Sequence, residues 1–244
     1  MSVPEKTVLG ILGGMGPAAS CYLYQMLTLH TPAGCDQDHI DLLVSSRAST
    51  PDRTGFILGR GAADPYPAML AAAEGLVGAG ANLLCIACNT AHYFYDRLAA
   101  DVPAPILHMP RLVVARAKAL GCRKLGILAT DGTVQAGVYQ RVCEEAGLPC
   151  AAPGPEGQRA VMAVIYEGVK QGRRADMALW AKAVADLRAR GCDYAVLGCT
   201  ELSLVKRDEG LGDFYIDSTE VLCEAALRAC GVELGLPHSM VYRQ

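Results

Sequence analysis

Short apolar runs alternate with longer, helix-periodic segments along the whole chain. Residues 7–12, 40–45, 82–87, 124–129 and 194–198 are strand-length runs bounded by Gly, polar or turn residues. Each reads as a buried parallel strand, hydrophobic almost throughout. Between them, 17–29, 65–77, 111–120, 134–146, 156–170 and 175–190 predict helices, with Asp64 capping a helix whose first residue is Pro65. The βαβα order predicts an α/β fold of mostly parallel sheet with helices on both faces. Sites in such sheets lie beyond the carboxyl ends of the strands.

The pattern also repeats. Thr7-Val8-Leu9-Gly10-Ile11-Leu12 and Arg123-Lys124-Leu125-Gly126-Ile127-Leu128 share a Leu-Gly-Ile-Leu core. Downstream, at similar spacing in each half, a predicted strand ends in a cysteine and leads into a helix start: Cys88-Asn89-Thr90 in one, Cys199-Thr200-Glu201 in the other. Two related halves facing each other about a pseudo-twofold axis would set two thiols on opposite sides of one cleft. Inversion of a tetrahedral carbon by proton transfer needs that arrangement, since one face loses a proton and the other gains one.

One thiol must then be ionised and the other neutral. A reference pKa of about 8.5 leaves little thiolate at neutral pH, and each unit of depression corresponds to about 1.4 kcal/mol of preferential anion stabilisation. Helix starts after both cysteines would supply it through unpaired backbone N–H groups, which also suit an α-carboxylate and the enolate-like charge that follows loss of the Cα proton.

Composition narrows the classes. With 244 residues and 52% hydrophobic content the chain can bury a large core. Its net charge of −3, without a long basic run, argues against nucleic acid as a partner. The short polar start and the glycine-broken apolar stretch after it fit neither a signal peptide nor a membrane span, so no membrane association is expected. Eleven cysteines spread over so long a chain are more consistent with a reducing cytoplasm than with a disulfide scaffold. Most should be small buried hydrophobes. Cys88 and Cys199 are set apart by repeat position and helix-start context.

Three motifs in order, Gly13-Gly14-Met15-Gly16-Pro17, Cys88-Asn89-Thr90-Ala91-His92 and Gly198-Cys199-Thr200-Glu201, resemble those of the aspartate/glutamate racemase family over nearly the whole chain. Pro51-Asp52-Arg53-Thr54, and Asp64-Pro65 leading into a helix, are similar to the aspartate racemase branch. The glutamate branch usually carries an acidic residue and a serine in the first glycine-rich turn, where this chain has Gly13-Gly14-Met15. The resemblance implies two pseudo-symmetric Rossmann-like lobes around a cleft, an isomerase without metal or pyridoxal phosphate, and a homodimer. It implies Cys88 and Cys199 as the catalytic pair, Arg53 on the side-chain carboxylate, and Lys170 as a second cationic contact. Asn89, Thr90, Thr130 and Thr200 would hold the α-carboxylate or ammonium group, with Met15, Gly16 and Glu201 completing the substrate-binding set. The expected division is 1–108 with 211–244 in one lobe and 109–210 in the other. After Ile106-Leu107-His108-Met109 this chain has Pro110-Arg111, where many relatives carry an acidic residue, which puts in doubt any carboxylate role there.

Competing readings stand beside these. Cys85 and Cys88 make a Cys-x-x-Cys spacing, but one that ends an apolar strand rather than opening a thioredoxin-like helix. The glycine turn lacks the Gly-x-Gly-x-x-Gly spacing of a nucleotide loop and reads as a tight turn near substrate. Arg53 has the solvated surface charge as its default alternative. His92 suits capping or packing as well as proton transfer. His30, His39, His108 and His238 have no metal-site spacing. The leading expectation is racemisation of aspartate, with glutamate a possible second substrate. Maleate cis-trans isomerisation, hydantoin racemisation and non-catalytic binding of an acidic amino acid are the alternatives on the same scaffold.

Overall fold

The computed structural model describes residues 6–234. Among the described residues, eight strands form two four-stranded, wholly parallel sheets. The first holds β1 (Val8–Gly13), β2 (Asp41–Ser46), β3 (Leu83–Ile86) and β4 (Ile106–Leu107) in the order β2-β1-β3-β4. The second holds β5 (Leu125–Ala129), β6 (Cys150–Ala151), β7 (Tyr194–Gly198) and β8 (Tyr215–Asp217) in the order β6-β5-β7-β8. The duplication read from the Leu-Gly-Ile-Leu repeat is therefore also a duplication of topology.

All five predicted strands are present. The three unpredicted ones, β4, β6 and β8, are two or three residues long and lie at sheet edges, too short for any period to register. Pro17–His30, Tyr66–Gly78, Met109–Ala119 and Met177–Ala189 are helical near the predicted bounds, and Asp64 Oδ1 accepts from Tyr66 N–H at 2.9 Å. The 134–146 helix divides instead into Asp131–Gln135 and Val138–Glu145, because Gly137 takes the left-handed conformation at φ 67°. The 156–170 helix ends early: Pro155–Ala163 passes through a π-helical turn, Val164–Gly168, into a 3₁₀ turn, Val169–Gln171.

The described part of the expected returning segment, 211–234, is divided between the halves rather than returned whole to the first. β8 pairs in parallel with β7, Ala195 opposite Tyr215, as the edge of the second sheet. The helix after it, Ser218–Ala229, then packs on Pro17–His30 and Met109–Ala119. A short crossover from β7 through Thr200–Glu209 brings the chain back beside β7, the nearest free edge. Residues 235–244, including His238, lie outside the described residues.

One apolar cluster runs through both halves, joining Ile11, Leu23 and Met26 to Ile127, Tyr139 and Leu222, all buried. Two further clusters pack the outer helices, Phe94 and Leu98 on the first sheet and Trp180 and Leu187 on the second. In each sheet the chain reverses its lateral direction between the two central strands. Their carboxyl ends, those of β1 and β3 and of β5 and β7, are where a crevice opens in such sheets.

Candidate active site

All four of these strand ends contribute to one site. β1 runs into Gly13-Gly14-Met15-Gly16, a turn closed by Ser20, whose Oγ accepts from Gly14 N–H at 3.0 Å and donates to Gly16 O at 3.0 Å. Pro17 then begins a helix, where a missing N–H costs nothing. The turn sits against the opposite half: a Cβ on Gly16 would lie 2.3 Å from Glu201 Oε1.

β3 leads to Cys88 and β7 to Cys199, and both side chains face the same cavity. Met15, Arg53, Asn89, Thr90, Thr130, Lys170, Thr200 and Glu201 line it as well, and Gly16 abuts its Glu201 wall. Sequence reasoning missed three lining residues, Asp52, Thr54 and Tyr166. Asp52 and Thr54 flank Arg53 and share its motif, a signal that was available. Tyr166 had none, because the π-helical turn that carries it changes which side chains face the cleft. The cavity's free volume is about 20 Å³, room for little more than one water.

The two cysteines differ in setting. Cys199 is the N-cap of a ten-residue α-helix, Thr200–Glu209. Cys88 precedes only a 3₁₀ turn, Thr90–Phe94, so the expectation of a regular helix start at both is corrected for this one. Asn89 does not cap it. Its buried side chain donates to Ser218 Oγ at 3.0 Å and accepts from Tyr139 Oη at 2.5 Å, tying the first half to the second.

The helix start does not depress the Cys199 thiol either. Burial, then the negative charge of Glu201, push it well above its ordinary value, with Lys170 pulling the other way. Its Sγ–H donates to Glu201 Oε2 at 2.9 Å, and Lys170 Nζ donates to Glu201 Oε1 at 2.5 Å. Burial alone would lower the Lys170 pKa, but the charges of Cys199 and Glu201 and the bond to Glu201 together raise it. Lys170 is therefore a firm cation.

Arg53 is held by backbone oxygens. Its Nη1 donates to Thr50 O at 3.2 Å and Pro51 O at 2.9 Å, and its Nη2 to Met15 O at 3.3 Å. Its Nε is buried without a partner, and it forms no ion pair among the described residues. A guanidinium set in carbonyls, with a donor unspent and no carboxylate oxygen within 4 Å among the described residues, has the chemistry to meet an anion.

Threonine hydroxyls close the seam between the halves. Thr130 Oγ1 lies 3.0 Å from Thr90 Oγ1, 3.1 Å from Thr133 Oγ1 and 3.3 Å from Thr54 Oγ1, and Thr90 reaches Thr133 at 2.8 Å. Hydroxyls both donate and accept, so the cluster can reorient around a bound carboxylate or ammonium.

His92 is a structural group. Its Nε2 accepts from Met109 N–H at 3.1 Å, so Nδ1 carries the hydrogen and donates to Cys88 O at 2.9 Å. Burial first, then the neighbouring His108, lower its pKa to about 3. The neutral ring pins the backbone that carries Cys88. Because the unfolded imidazole takes a proton near 6.5 and the folded one only near 3, the unfolded chain binds more protons between these values. Stability is then lost as pH falls through that window, by up to about 1.4 kcal/mol per unit. The urea midpoint should be lower at about pH 5 than at about pH 7, and His92→Gln should lose this share of the pH dependence.

All eleven cysteines are unpaired. Cys85 sits in the first-sheet core with its thiol pushed up to about 12, chiefly by burial, so the Cys-x-x-Cys spacing joins a packing residue to a cavity residue. Arg111 pairs with Glu145 at 3.8 Å and does not line the cavity. Among the described residues no group of three or more His, Cys, Asp or Glu could hold a metal ion, and no helix is long and apolar enough to cross a membrane.

A family profile described as Asp/Glu/Hydantoin racemase matches residues 12–226. The chain is similar to the solved structure of Picrophilus torridus aspartate racemase, with 26% identity, a TM-score of 0.79 and coverage of 94% of this chain and 96% of that one. It is 24% identical to a broad specificity amino-acid racemase of Bacillus subtilis, over 81% of this chain and 87% of that protein. It is 29% identical to the glutamate racemase of Aquifex pyrophilus, over 59% of this chain and 56% of that protein. The chain spans about half the length of the glutamate racemases it matches first.

Proposed function

The chain belongs to the Asp/Glu/Hydantoin racemase family, and from that premise we propose that it interconverts L- and D-aspartate by proton transfer at Cα between Cys88 and Cys199. The observation that carries this reading is that the two cysteines follow β3 and β7, the corresponding strands of two sheets of identical order, and line a single cavity. One sulfur, as thiolate, removes the Cα proton. The electron pair passes into the α-carboxylate as enolate-like charge, and the other sulfur, as thiol, protonates the opposite face.

Unpaired N–H groups at the start of Thr200–Glu209 and the threonine cluster are suited to hold the α-carboxylate and stabilise that charge. Arg53 favours a dicarboxylate, because its unspent donor and unbalanced charge call for a second anionic group. Lys170, with three donors and one spent on Glu201, can reach a carboxylate too. The similarity to an aspartate racemase over almost all of both chains supports aspartate over glutamate. We place the working molecule as a homodimer, as the sequence resemblance implies.

Proton NMR of L- and D-aspartate in heavy water, with protein and no added cofactor, tests the reading. The Cα proton signal of either enantiomer should disappear as deuterium enters. Persistence of both signals would end the proposal. Arg53→Ala should lower the kcat/KM ratio of aspartate over alanine about 10- to 100-fold, the worth of a charge-assisted pair. Equal loss for both substrates would remove Arg53 from the distal carboxylate.

A further inference from the structure

Cys199 does not meet the cavity alone. The carboxylate that accepts its Sγ–H at 2.9 Å is buried, 6% exposed, and is clamped from the other side by Lys170 Nζ at 2.5 Å. Gly16 makes room for it, since any side chain there would occupy the position of Glu201 Oε1. One carboxylate oxygen is thus fixed by a cation from the 3₁₀ turn Val169–Gln171, and the other is aimed at the sulfur. A nucleophile within hydrogen-bond reach of a base, itself oriented by a third group, is the general arrangement by which proteins activate a weak nucleophile.

We propose that Glu201 is the proton acceptor that converts Cys199 to its thiolate, and that Lys170 is the positioning residue that aims Glu201 Oε2 at Cys199 Sγ; this rests on the racemase reading above. In the step, the Sγ–H bond breaks, the proton bonds to Oε2, and the electron pair stays on sulfur. Negative charge moves from carboxylate to thiolate while Lys170 remains beside both, so no net charge enters the buried site. The thiolate then takes the Cα proton of one enantiomer, and the Cys88 thiol gives its proton to the opposite face. Cys88 is left as thiolate and Glu201 protonated, and transfer of the Glu201 proton to Cys88 through solvent restores the starting state. Catalysis in the other sense runs the same steps backwards.

A static carboxylate would act with the opposite sign. If Glu201 only anchored the thiol proton, it would oppose ionisation of Cys199, and its removal would speed racemisation. Removal of a proton acceptor slows it. Glu201→Gln keeps the shape and the bond from sulfur but cannot take a proton. We expect it to lower kcat/KM for aspartate by about 10²- to 10⁴-fold. Iodoacetamide alkylation of Cys199, followed by peptide mass spectrometry, should fall with it while Tm and the circular dichroism spectrum stay those of the parent, because the thiolate is the attacking species there too. Racemisation that holds or rises in Glu201→Gln overturns the relay while leaving the racemase reading intact. Racemisation that falls while alkylation holds also overturns it, because the thiolate then forms without Glu201, and so does a fall in both with a lowered Tm, which assigns Glu201 to packing. A parent protein that exchanges no Cα proton overturns both readings together.

Discussion

Cys88→Ser and Cys199→Ser are each expected to lower aspartate racemisation by about 10³-fold or more while leaving the protein folded. A two-base inversion has no spare member: each sulfur serves one face of Cα, and the loss of either stops both directions. Serine is close in size, so the 6%-exposed positions stay filled. Its hydroxyl ionises far less readily than a thiol, and so it cannot supply the anion. Residues acting as one unit lose activity together, so the double variant should be no worse than either single one. Cys21→Ser is the control. Cys21 is exposed on Pro17–His30 and does not line the cavity, and its replacement should leave kcat/KM within about twofold. Polarimetry or chiral chromatography gives the rates, and circular dichroism the fold. Either cavity variant retaining most of its activity would contradict the paired-thiol assignment.

The largest effect on stability is expected from Gly14→Ala. Gly14 has φ 84°, where an L side chain is strained, and its Cβ would lie 2.3 Å from Arg47 N and 2.5 Å from Arg47 C. Those are backbone atoms just beyond β2, the strand paired with β1, and they cannot swing aside as a side chain would. Strain and overpacking each cost about 1–3 kcal/mol, so a combined loss of about 3–5 kcal/mol is expected. For a chain of this size that lowers Tm by roughly 6–20 °C. Gly59→Ala separates the two causes. Gly59 has a positive φ of 64° but nothing within 4 Å of its Cβ, so only the backbone strain, about 1 kcal/mol, should appear. Equal shifts for the two variants would mean that the close approach to Arg47 does not matter. The consequence reaches function, because the same turn sets Met15 and Gly16 against the cavity.

Several site features could be read from the chain because they depend on neighbours in sequence. Cys88 and Cys199 were legible as strand-end residues in matching halves, and Arg53 stood out through its Pro-Asp-Arg-Thr setting. Other features depend on how the halves meet. Asn89 read as an N-cap, yet its amide reaches Ser218, 129 positions away, and becomes a tie between halves. His92 could be weighed only as packing or proton transfer until Met109 N–H and Cys88 O fixed its tautomer. The helix start after Cys199 promised an easily ionised thiol, but burial and Glu201 act against it.

By itself the sequence determined the alternation of buried strands with helices, the duplication, the strand ends at which chemistry is possible, and the two sulfurs there. These follow from backbone periodicity and turn chemistry, which act over a few residues. Only the tertiary structure decided that β8 joins the second sheet, that the π-helical turn carries Tyr166 and the 3₁₀ turn after it carries Lys170 to the cleft, and that Lys170 meets a carboxylate 31 positions on while that carboxylate meets the thiol. Such contacts arise when two packed layers are pressed together. Their geometry is set by core volume and by a glycine that leaves room for Glu201, and these quantities have no local signature in a chain of residues.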